Sequence, residues 1–363
     1  MILKDRRIIF FTFGDIPYDQ RMLRIWKSLY SEGAIIEIFG RELFPWDTSE
    51  LPYLITRYRP IFKKGPLAYL EYNLRAAFKY LFSKIELLYC ADLDTMPAGY
   101  ALRLVKKFKW LYDAHEYFSE TPEVVRRPQI KKIWEIVADL TIPKIDSGIT
   151  VSEGYSSQFL SQYSVDFTII RNVPYRKDYN CPPKSDAPYL LYQGVLNEGR
   201  GLKELIAALE NTEFQLFIAG GGDLINTLQE QVITQESGSK IHFCGKLMPA
   251  ELDQFTQCAQ IGINLLEHLG QSYYYSLANK FFDYIMACVP QLCINFPEYK
   301  LLNDKYEVAV LIPDLSVNSI TEGLAQLSDA DTYQRLTDNC KLAREELNWE
   351  KEETKLIGVF KRL

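Results

Sequence analysis

The sequence is poor in the residues and patterns that mark metal, redox and membrane-spanning proteins. It has only three histidines, and its seven cysteines form no CxxC pair and no spacing typical of a metal site. Most of the cysteines lie in apolar runs, which predicts reduced core thiols in a cytoplasmic protein. No run approaches the ~18 to 20 apolar residues that span a bilayer. The apolar run near the basic N-terminus stops at Gly14, too early for a secretory signal.

Charge is distributed unevenly along the chain. Residues 1–175 carry 24 Lys and Arg against 21 Asp and Glu, whereas the remaining residues carry 17 against 26. This asymmetry predicts two lobes with different surfaces, and the acidic second half argues against general nucleic-acid binding. At 363 residues the chain is also too long for one ordinary core, so two domains are expected.

Apolar runs with strand composition alternate with segments of helical periodicity along most of the chain. The run RIIFFTF, for example, precedes a helical segment whose apolar face contains Met22, Trp26 and Leu29. Such alternation predicts parallel sheets with helices on both faces. We therefore expect an α/β protein with two Rossmann-like, doubly wound domains that face a cleft. In such sheets ligands bind beyond the carboxyl ends of the strands.

A linker-like segment divides the alternation. Residues 171–188 are rich in Pro, Lys and Asp and lack periodicity, which is typical of an interdomain connection. We predict a first domain over 1–173 and a second over 174–345. The closing residues, 346–363, form a predicted helix that packs back on the first domain.

The stretch SLANKFFDYIMACVP, residues 276–290, joins a polar start to an apolar helical segment. Ser276 is the predicted helix cap. Asn279 and Lys280 follow it, where free amides, the helix dipole and the lysine charge would together bind a diphosphate. Asp283, one turn further, would accept hydrogen bonds from a pair of ribose hydroxyls. An ordinary capped helix with an acidic residue near its start explains the same residues equally well.

A glycine-bearing loop follows the strand YLLYQG. Arg200 lies there between Gly199 and Gly201, so the backbone can approach a ligand while the guanidinium reaches phosphate oxygens. A solvent-exposed arginine in a flexible turn is the alternative. A second glycine turn, FIAGGGD at 217–223, has neither the GxGxxG spacing of dinucleotide-binding folds nor the Lys-Ser/Thr of a P-loop.

Two polar motifs follow apolar strands in the first half of the chain. His115 lies in LYDAHEYFSE, where a catalytic loop is expected, and could donate to a ligand hydroxyl or a developing charge. A structural histidine in the cleft wall is the alternative. Asp92 and Asp94 form a DxD pair that could hold a divalent cation. No supporting residues accompany that pair, so a helix cap or a plain loop is favoured.

The segment 57–84 predicts a helix with an apolar face. That face collects Leu67, Leu70, Leu74, Phe78 and Leu81. A crossover helix packed on the sheet explains it. A basic, aromatic helix that rests on an anionic membrane surface is the alternative, and the two interpretations are compatible.

Together these motifs resemble those of family 4-type glycosyltransferases of the GT-B fold. YQGVLNEGRGLKELIAAL resembles the glycine strand and phosphate-binding basic residue of that family. SLANKFFDYIMACVPQ resembles its S-x-P-N-K-x-F-E-Y-x-x-x-G-x-P signature. YDQRMLR, YDAHEYFSE, IIRNVP and the closing NWEKEETKLIGVF have counterparts at matching positions, so the resemblance spans nearly the whole chain.

The resemblance implies transfer of a sugar from a nucleotide-diphosphate sugar, with retention at the anomeric carbon and no essential metal or cofactor. The second domain would bind the donor. The first would bind the acceptor: a glycan, a lipid-linked molecule, a protein or another hydroxyl compound. A cytoplasmic location is expected, with peripheral contact to the anionic inner face of a membrane and no nucleic-acid partner.

The resemblance also implies roles for single residues. Arg200 and Lys280 would contact the diphosphate, helped by the backbone from Ser276 to Asn279. Asp283 would bind the ribose, and His115 would face the transferred sugar.

Three further positions carry implied donor contacts. Lys246 and Leu247, in the turn after HFCG, would meet the base. Gly14 would let the first loop approach the diphosphate.

Several positions depart from the family pattern. They are Ala278 for Pro, Cys288 for Gly, Tyr275 for a carboxylate, Val195 for Arg, and Asp283 for the longer Glu. Two alternatives therefore stay open: a degenerate GT-B subunit acting as a scaffold for a partner, and a nucleotide-sugar epimerase that uses no acceptor. A nicotinamide dehydrogenase fits least, since no GxGxxG opens the first strand–helix unit.

Overall fold

The chain, analysed as a computed structural model, divides into two compact units. Unit 1 is Met1–Asn172 with Glu352–Leu363, and unit 2 is Val173–Lys351. The residues that the structure describes are 3–14, 19–45, 47–179, 188–234 and 236–363. Residues 171–179 of the predicted linker have no regular secondary structure, and its remainder up to residue 187 lies outside the described residues.

Unit 1 is built on a seven-stranded parallel sheet. Its strands are β1 (Arg7–Phe11), β2 (Ile35–Arg41), β3 (Leu54–Tyr58), β4 (Leu87–Ala91), β5 (Lys109–Ala114), β6 (Ser147–Thr150) and β7 (Phe167–Ile169). They lie in the order β3-β2-β1-β4-β5-β6-β7. Its helices are α1 (Gln20–Ser31), α2 (Pro66–Tyr80), α3 (Met96–Val105), α4 (Pro122–Val125), α5 (Pro128–Thr141) and α6 (Glu153–Tyr163).

The strands of unit 1 form where the sequence has continuous apolar runs. Strand β4, LLYCA, is buried at every position, and β1 at every position but its first. Continuous burial is expected for a parallel sheet, because helices cover both of its faces. Helix α1 begins where the Asp19 side chain accepts a hydrogen bond from the Met22 amide, and Met22, Trp26 and Leu29 are buried as predicted.

Helix α2 packs on unit 1 through a face that the sequence pattern did not indicate. Its buried side consists of the small and aromatic residues Ala68, Tyr72, Ala76 and Tyr80, together with Asn73. The Tyr72 hydroxyl donates to the Phe39 carbonyl at 3.1 Å, and Tyr80 donates to Glu37 at 2.8 Å. The predicted crossover helix packed on the sheet is therefore confirmed, and it packs through its tyrosine side and not through the leucine face.

Unit 2 is built on a six-stranded parallel sheet. Its strands are β8 (Tyr189–Gln193), β9 (Gln215–Ala219), β10 (Ile241–Gly245), β11 (Ile261–Asn264), β12 (Gln291–Ile294) and β13 (Ala309–Ile312). They lie in the order β10-β9-β8-β11-β12-β13. The helices are α7 (Leu202–Ala208), α8 (Ile225–Thr234), α9 (Pro249–Cys258), α10 (Gln271–Tyr274), α11 (Asn279–Met286), α12 (Pro297–Tyr306), α13 (Val317–Ser328) and α14 (Ala330–Ala343).

The last helix, α15 (Trp349–Arg362), carries the chain back into unit 1 from Glu352 onward. Phe360 is fully buried, and its ring stacks on Tyr89 with centroids 6.3 Å apart and planes 9° apart. The Arg6 guanidinium donates to the Phe360 carbonyl at 2.9 Å. The closing residues therefore supply part of the unit 1 core.

Both sheets reverse their strand order once, between β1 and β4 in unit 1 and between β8 and β11 in unit 2. Two doubly wound parallel sheets with connecting helices confirm the predicted fold class. Crevices form where the order reverses, at the carboxyl ends of the strands, and ligands bind there. No helix among the described residues has the length and apolarity needed to cross a bilayer.

Candidate functional site

Glycines line the carboxyl edge of the unit 2 sheet. The Gly194 amide, just after β8, donates to the Ala219 carbonyl at 3.0 Å. A Cβ atom added to Gly220, just after β9, would lie 1.8 Å from the Gly194 oxygen. Only glycine fits at position 220, because the two strand ends approach each other too closely for any side chain.

Arg200 lies between two glycines whose backbone adopts a left-handed conformation. Gly199 and Gly201 have φ values of +80° and +61°, in the region that side chains disfavour. A Cβ atom at Gly201 would lie 2.7 Å from the Cβ of Leu265. The Arg200 guanidinium stacks 4.7 Å from the ring centroid of Tyr273, and its Nε is buried without a hydrogen-bond partner. The alternative of an exposed arginine in a flexible turn is therefore wrong.

Lys280 is a buried cation. Its side chain is 6% exposed, and Nζ lies 3.8 Å from the centroid of the Tyr192 ring, without a hydrogen-bond partner. Tyr192 is itself held by a 2.8 Å hydrogen bond from its hydroxyl to the Val195 carbonyl. Burial, and then the nearby Arg200 charge, lower the pKa of Lys280 well below its usual value.

Arg200 and Lys280 therefore form a pair of neighbouring cations at the reversal between β8 and β11. Neither forms an ion pair with any residue that the structure describes. Each is held by an aromatic ring instead, which attracts a cation without neutralising it. An anion placed beside both groups would be stabilised strongly, since a partly dry site weakens screening.

The start of α11 differs from its prediction. The helix begins at Asn279 with Ala278 as its N-cap residue, and the Ser276 hydroxyl instead donates to the Tyr273 carbonyl at 2.9 Å. The prediction that Ser276 caps this helix is wrong, because Ser276 lies in the turn that closes α10. The Ser276 amide donates to Tyr273 and the Ala278 amide to the Tyr299 hydroxyl, so these two amides are bonded within the protein.

Asp283 is oriented by a polar chain that the sequence did not reveal. It lies one turn after Asn279 and is half-buried. Gln193 Nε2 donates to Asp283 Oδ2 at 2.9 Å, and Gln193 Oε1 accepts from the Thr256 hydroxyl at 2.8 Å. The one available signal for Gln193 was a polar residue at the end of the buried strand YLLYQ. Tyr192, which lies beside Lys280, carried no such signal.

Lys246 and Leu247 lie at the carboxyl end of β10, on the same sheet edge. Gly245 ends the strand with a φ of +67°. Lys246 is exposed, and a Cβ atom on Gly221 would lie 3.5 Å from its side chain. Leu247 is half-buried against the cluster that contains Tyr189. The two residues therefore share this edge with Gly194 and Gly220, and their role toward a base stays a prediction.

The corresponding edge of unit 1 holds a histidine between two carboxylates. His115 Nε2–H donates to Asp113 Oδ2 at 2.8 Å, and Nδ1–H donates to Asp92 Oδ2 at 3.2 Å. Asp113 is fully buried and also accepts both arms of Arg21, at 2.8 and 2.9 Å, and the hydroxyl of Tyr89. Sequence reasoning missed Arg21 and Tyr89 as members of this network.

The charges of this network support one another. Burial opposes protonation of His115, but Asp113 and Asp92 outweigh it and raise its pKa well above the usual value. Burial would raise the pKa of Asp113, but Arg21 and His115 outweigh it and lower that pKa. His115 is therefore an imidazolium with both N–H groups directed at carboxylates. Its predicted role toward a sugar stays a prediction.

The remaining predicted residues of unit 1 lie near the same edge. Gly14 follows β1 in an exposed position, and a Cβ atom added there would meet nothing within 4 Å. Asp94 is buried, and burial followed by the Asp92 charge raises its pKa well above the usual value. The DxD pair thus does not present two carboxylates together. Within the described ranges, no group of three or more His, Cys, Asp or Glu is arranged to hold a metal.

Solved structures of known proteins share this fold over nearly the whole chain. Sucrose-phosphate synthase from Thermosynechococcus elongatus matches with a TM-score of 0.78 and 16% identity, covering 98% of each chain. HepE from Anabaena, in complex with UDP and glucose, matches with a TM-score of 0.75 and 12% identity, covering 98% of this chain and 99% of that chain. WaaG, a glycosyltransferase involved in lipopolysaccharide biosynthesis, matches with a TM-score of 0.73 and 13% identity, covering 96% and 98%.

These neighbours are glycosyltransferases of the GT-B class, so the fold of this chain is the GT-B fold, as predicted. No protein-family model and no curated protein sequence matches the chain. At sequence identities of 11 to 16%, the similarity to these structures shows a shared fold and nothing more. What the chain does has to be argued from its own residues.

Proposed function

We propose that this protein is a retaining, metal-independent glycosyltransferase that takes a sugar from a nucleotide-diphosphate sugar. The observation that carries the proposal is the pair of unneutralised cations, Arg200 and Lys280, at the strand-order reversal of unit 2. A diphosphate is the anion that suits two adjacent cations. The GT-B fold supports the same class of activity by analogy.

The donor is the substrate for which unit 2 has the most suitable groups. Arg200 and Lys280 would bind the diphosphate oxygens. The Asp283 carboxylate, oriented by Gln193, would accept hydrogen bonds from the ribose hydroxyls. Since HepE is known in complex with UDP and with UDP-glucose, UDP is our first choice among the nucleotides. The acceptor would be a glycan, a lipid-linked molecule or another hydroxyl compound, as in polysaccharide biosynthesis.

The chemistry follows from where charge develops. As the bond between the anomeric carbon and the phosphate oxygen breaks, its electron pair passes to the leaving diphosphate. Arg200 and Lys280 stabilise that negative charge, which is greater in the transition state than in the bound donor. The acceptor oxygen then bonds to the anomeric carbon on the same face, and its proton passes to the leaving phosphate. No enzymic nucleophile is needed, and front-face substitution gives retention.

We also propose that the protein is cytoplasmic and that unit 1 makes peripheral contact with the anionic inner face of a membrane. The proposed reaction does not require His115 to transfer a proton, because both of its ring N–H groups already donate to carboxylates.

A thermal-shift panel tests donor binding. UDP, GDP, ADP and CDP are added to the wild type, with and without EDTA, and to Arg200→Ala. A ligand at about 100 times its Kd stabilises the folded state by about 2.7 kcal/mol, so the matching diphosphate should raise Tm clearly. We expect one nucleotide to act on the wild type, independently of EDTA, and its effect to be lost in Arg200→Ala. Lys203→Ala, which removes an exposed cation three residues away, is the matched control.

The outcomes separate the proposal from its alternatives. If no nucleotide shifts Tm, the degenerate-scaffold alternative replaces the transferase. If EDTA abolishes the shift, the metal-independent part is wrong. With the donor known, proton NMR of the product gives the anomeric configuration directly. An inverted product would overturn the retaining mechanism, and turnover of the sugar without any acceptor would favour the epimerase.

The ribose contact gives a separate prediction. Asp283→Asn should raise the Kd of the nucleotide by about 10- to 150-fold, because a hydrogen bond to a charged group contributes about 1.5 to 3 kcal/mol. Isothermal titration calorimetry with the nucleotide measures this change. The matched control is Asp253→Asn on α9, an acid bonded to Lys177 and Tyr179. Unchanged affinity in Asp283→Asn would show that the carboxylate does not bind ribose.

A further inference from the structure

Helix α2 directs its most apolar side chains away from the core of unit 1. Leu67, Leu70, Leu74 and Phe78 recur at spacings of three and four residues, and they are 53%, 54%, 61% and 76% exposed. The opposite side of the helix is the one packed on unit 1. An amphipathic helix normally buries its apolar stripe, so a stripe left outward marks a surface for contact with another body.

The exposed stripe belongs to a larger surface. Helix α2 packs against α3, and α3 against α5. A recess of about 490 Å³ joins the Leu74 and Phe78 side of α2 to α3, and a second of about 560 Å³ joins Leu70 to Ile133 and Trp134 of α5. We call this surface the α2–α3–α5 face. Its exposed apolar residues are Leu67, Leu70, Leu74, Phe78, Leu104, Val105, Ile133, Ile136 and Leu140.

A short loop before α2 extends the face. Ile61 and Phe62 are exposed, and the Glu71 carboxylate of α2 accepts hydrogen bonds from both of their amides, at 3.0 and 2.9 Å. Arg75 donates to the same carboxylate at 2.9 Å. The loop is therefore fixed to the helix in a conformation that presents two large apolar side chains to solvent.

Basic side chains accompany the apolar ones. Residues 57–144 carry 16 Lys and Arg against 10 Asp and Glu, although the whole chain has a net charge of −6. The exposed basic residues on or beside these elements are Lys63, Lys64, Arg75, Lys79, Lys107, Arg126, Arg127 and Lys132. Apolar side chains flanked by lysine and arginine are the composition that binds the interface of an anionic bilayer.

We propose that the α2–α3–α5 face docks on an anionic lipid bilayer. The Ile61–Phe62 loop and the α2 stripe enter the boundary between headgroups and acyl chains, while the surrounding lysines and arginines lie against anionic headgroups. This inference rests on the proposed function for the presence of the protein at an inner membrane face. The docking itself uses no residue of the donor site in unit 2.

Charge favours a bilayer over a second copy of the chain. In a two-fold symmetric dimer the same patch meets itself, so the basic residues of one copy would face those of the other. Like charges at an interface weaken association, whereas anionic lipids attract these basic residues. A bilayer also matches a surface whose apolar residues are spread over three helices and a loop.

Co-sedimentation with vesicles tests the proposal with the full-length chain. One set of vesicles is phosphatidylcholine alone, and the other contains about one third phosphatidylglycerol. We expect binding to the anionic vesicles that falls with added salt, and little binding to phosphatidylcholine. Leu74→Glu with Phe78→Glu should lower the partition coefficient on the order of 100-fold, by replacing two inserted apolar groups with charges. Lys63→Gln with Lys64→Gln should lower it about 30-fold, at about 5-fold per lysine.

Matched controls keep the result interpretable. Leu160→Glu changes a residue 53% exposed on α6, outside the face, and should leave vesicle binding unchanged. Circular dichroism and thermal unfolding verify that each variant folds, which the exposure of the mutated residues predicts.

Three results would overturn the proposal. They are absence of binding to anionic vesicles, equal binding by the Leu74 and Phe78 variant, and wild-type dimers in light scattering that this variant converts to monomers. The last would show that a second copy covers the face. A nucleotide thermal shift on the same samples reports unit 2 separately. Vesicle binding without a nucleotide shift would overturn the proposed transferase activity and leave the docking standing. A nucleotide shift without vesicle binding would overturn the docking, and with it the membrane contact of unit 1, and leave the transferase activity standing.

Discussion

The neighbours of Lys280 are an aromatic ring and a second cation. A buried lysine with a purely structural role would instead be paired with a carboxylate. Its ammonium lies over Tyr192, and Arg200 is close enough to lower its pKa. An ammonium without an anionic partner in a buried site costs stability. A bound anion would offset that cost, which supports the proposed role of Lys280 toward a diphosphate.

Replacing Lys280 should therefore separate stability from binding. We expect Lys280→Met to leave the free energy of unfolding unchanged or to increase it, because the uncompensated charge is removed and the apolar stem is kept. Nucleotide affinity should fall by at least about 10-fold, the loss expected for a charge-assisted hydrogen bond. Denaturant unfolding and calorimetry measure the two effects, with exposed Lys203→Met as control. A variant that is destabilised but binds normally would show that Lys280 is structural.

His115 leads to a prediction about pH. Because Asp92 and Asp113 raise its pKa in the folded protein, its contribution to stability is full below the unfolded pKa of about 6.5. That contribution is lost as pH rises through the higher folded pKa. The difference in free energy of unfolding between wild type and His115→Gln should thus shrink on going from pH 6 to alkaline solution. Denaturant unfolding across this range measures it, and a difference that grows with pH would contradict the imidazolium assignment.

At the scale of elements, the turn into α7 depends on a glycine at its N-cap. Gly201 has a φ of +61°, and a Cβ atom there would also collide with Leu265. Gly245 has nearly the same φ of +67°, but nothing lies within 4 Å of an added Cβ. The two positions therefore share backbone strain and differ in the collision.

We expect Gly201→Ala to destabilise the protein by about 1 to 3 kcal/mol, through strain and collision together. Gly245→Ala should cost about 1 kcal/mol, the cost of the left-handed backbone alone. Denaturant unfolding gives the loss of unfolding free energy for each variant. The difference between the two losses measures the contribution of the collision with Leu265. Gly201→Ala should also weaken nucleotide binding, since it displaces the neighbouring Arg200. Equal destabilisation of the two variants would contradict the close packing at Leu265.

At the scale of the whole molecule, the chain completes unit 1 with its last residues. Phe360→Ala should destabilise unit 1 by about 3 to 5 kcal/mol, because it opens a cavity against Tyr89 in a fully buried site. Phe78→Ala is the matched control in the same unit, and its 76% exposure predicts a change within about 0.5 kcal/mol. Denaturant unfolding compares the two. Similar effects from both would mean that the closing helix adds little to the unit 1 core.

Much of the architecture could be predicted because it is encoded in local patterns. Continuous apolar runs such as LLYCA specify buried parallel strands, and their alternation with helical segments specifies doubly wound sheets. The glycines beside Arg200 both have positive φ values, a backbone conformation that glycine adopts readily. These features depend on residues within a few positions of one another, so a single sequence is enough to read them.

The contacts that define the site were decided by the tertiary structure. The orientation of Asp283 depends on Gln193, 90 positions earlier, and the Arg21–Asp113 pair joins residues 92 positions apart. Likewise, the periodicity of α2 indicated an apolar stripe. It did not indicate that the tyrosines on the opposite side of the helix would be the buried residues. Periodicity determines which residues share a face of an element. Which face is buried, and which distant side chain meets it, depends on packing between elements, and no local pattern contains that information.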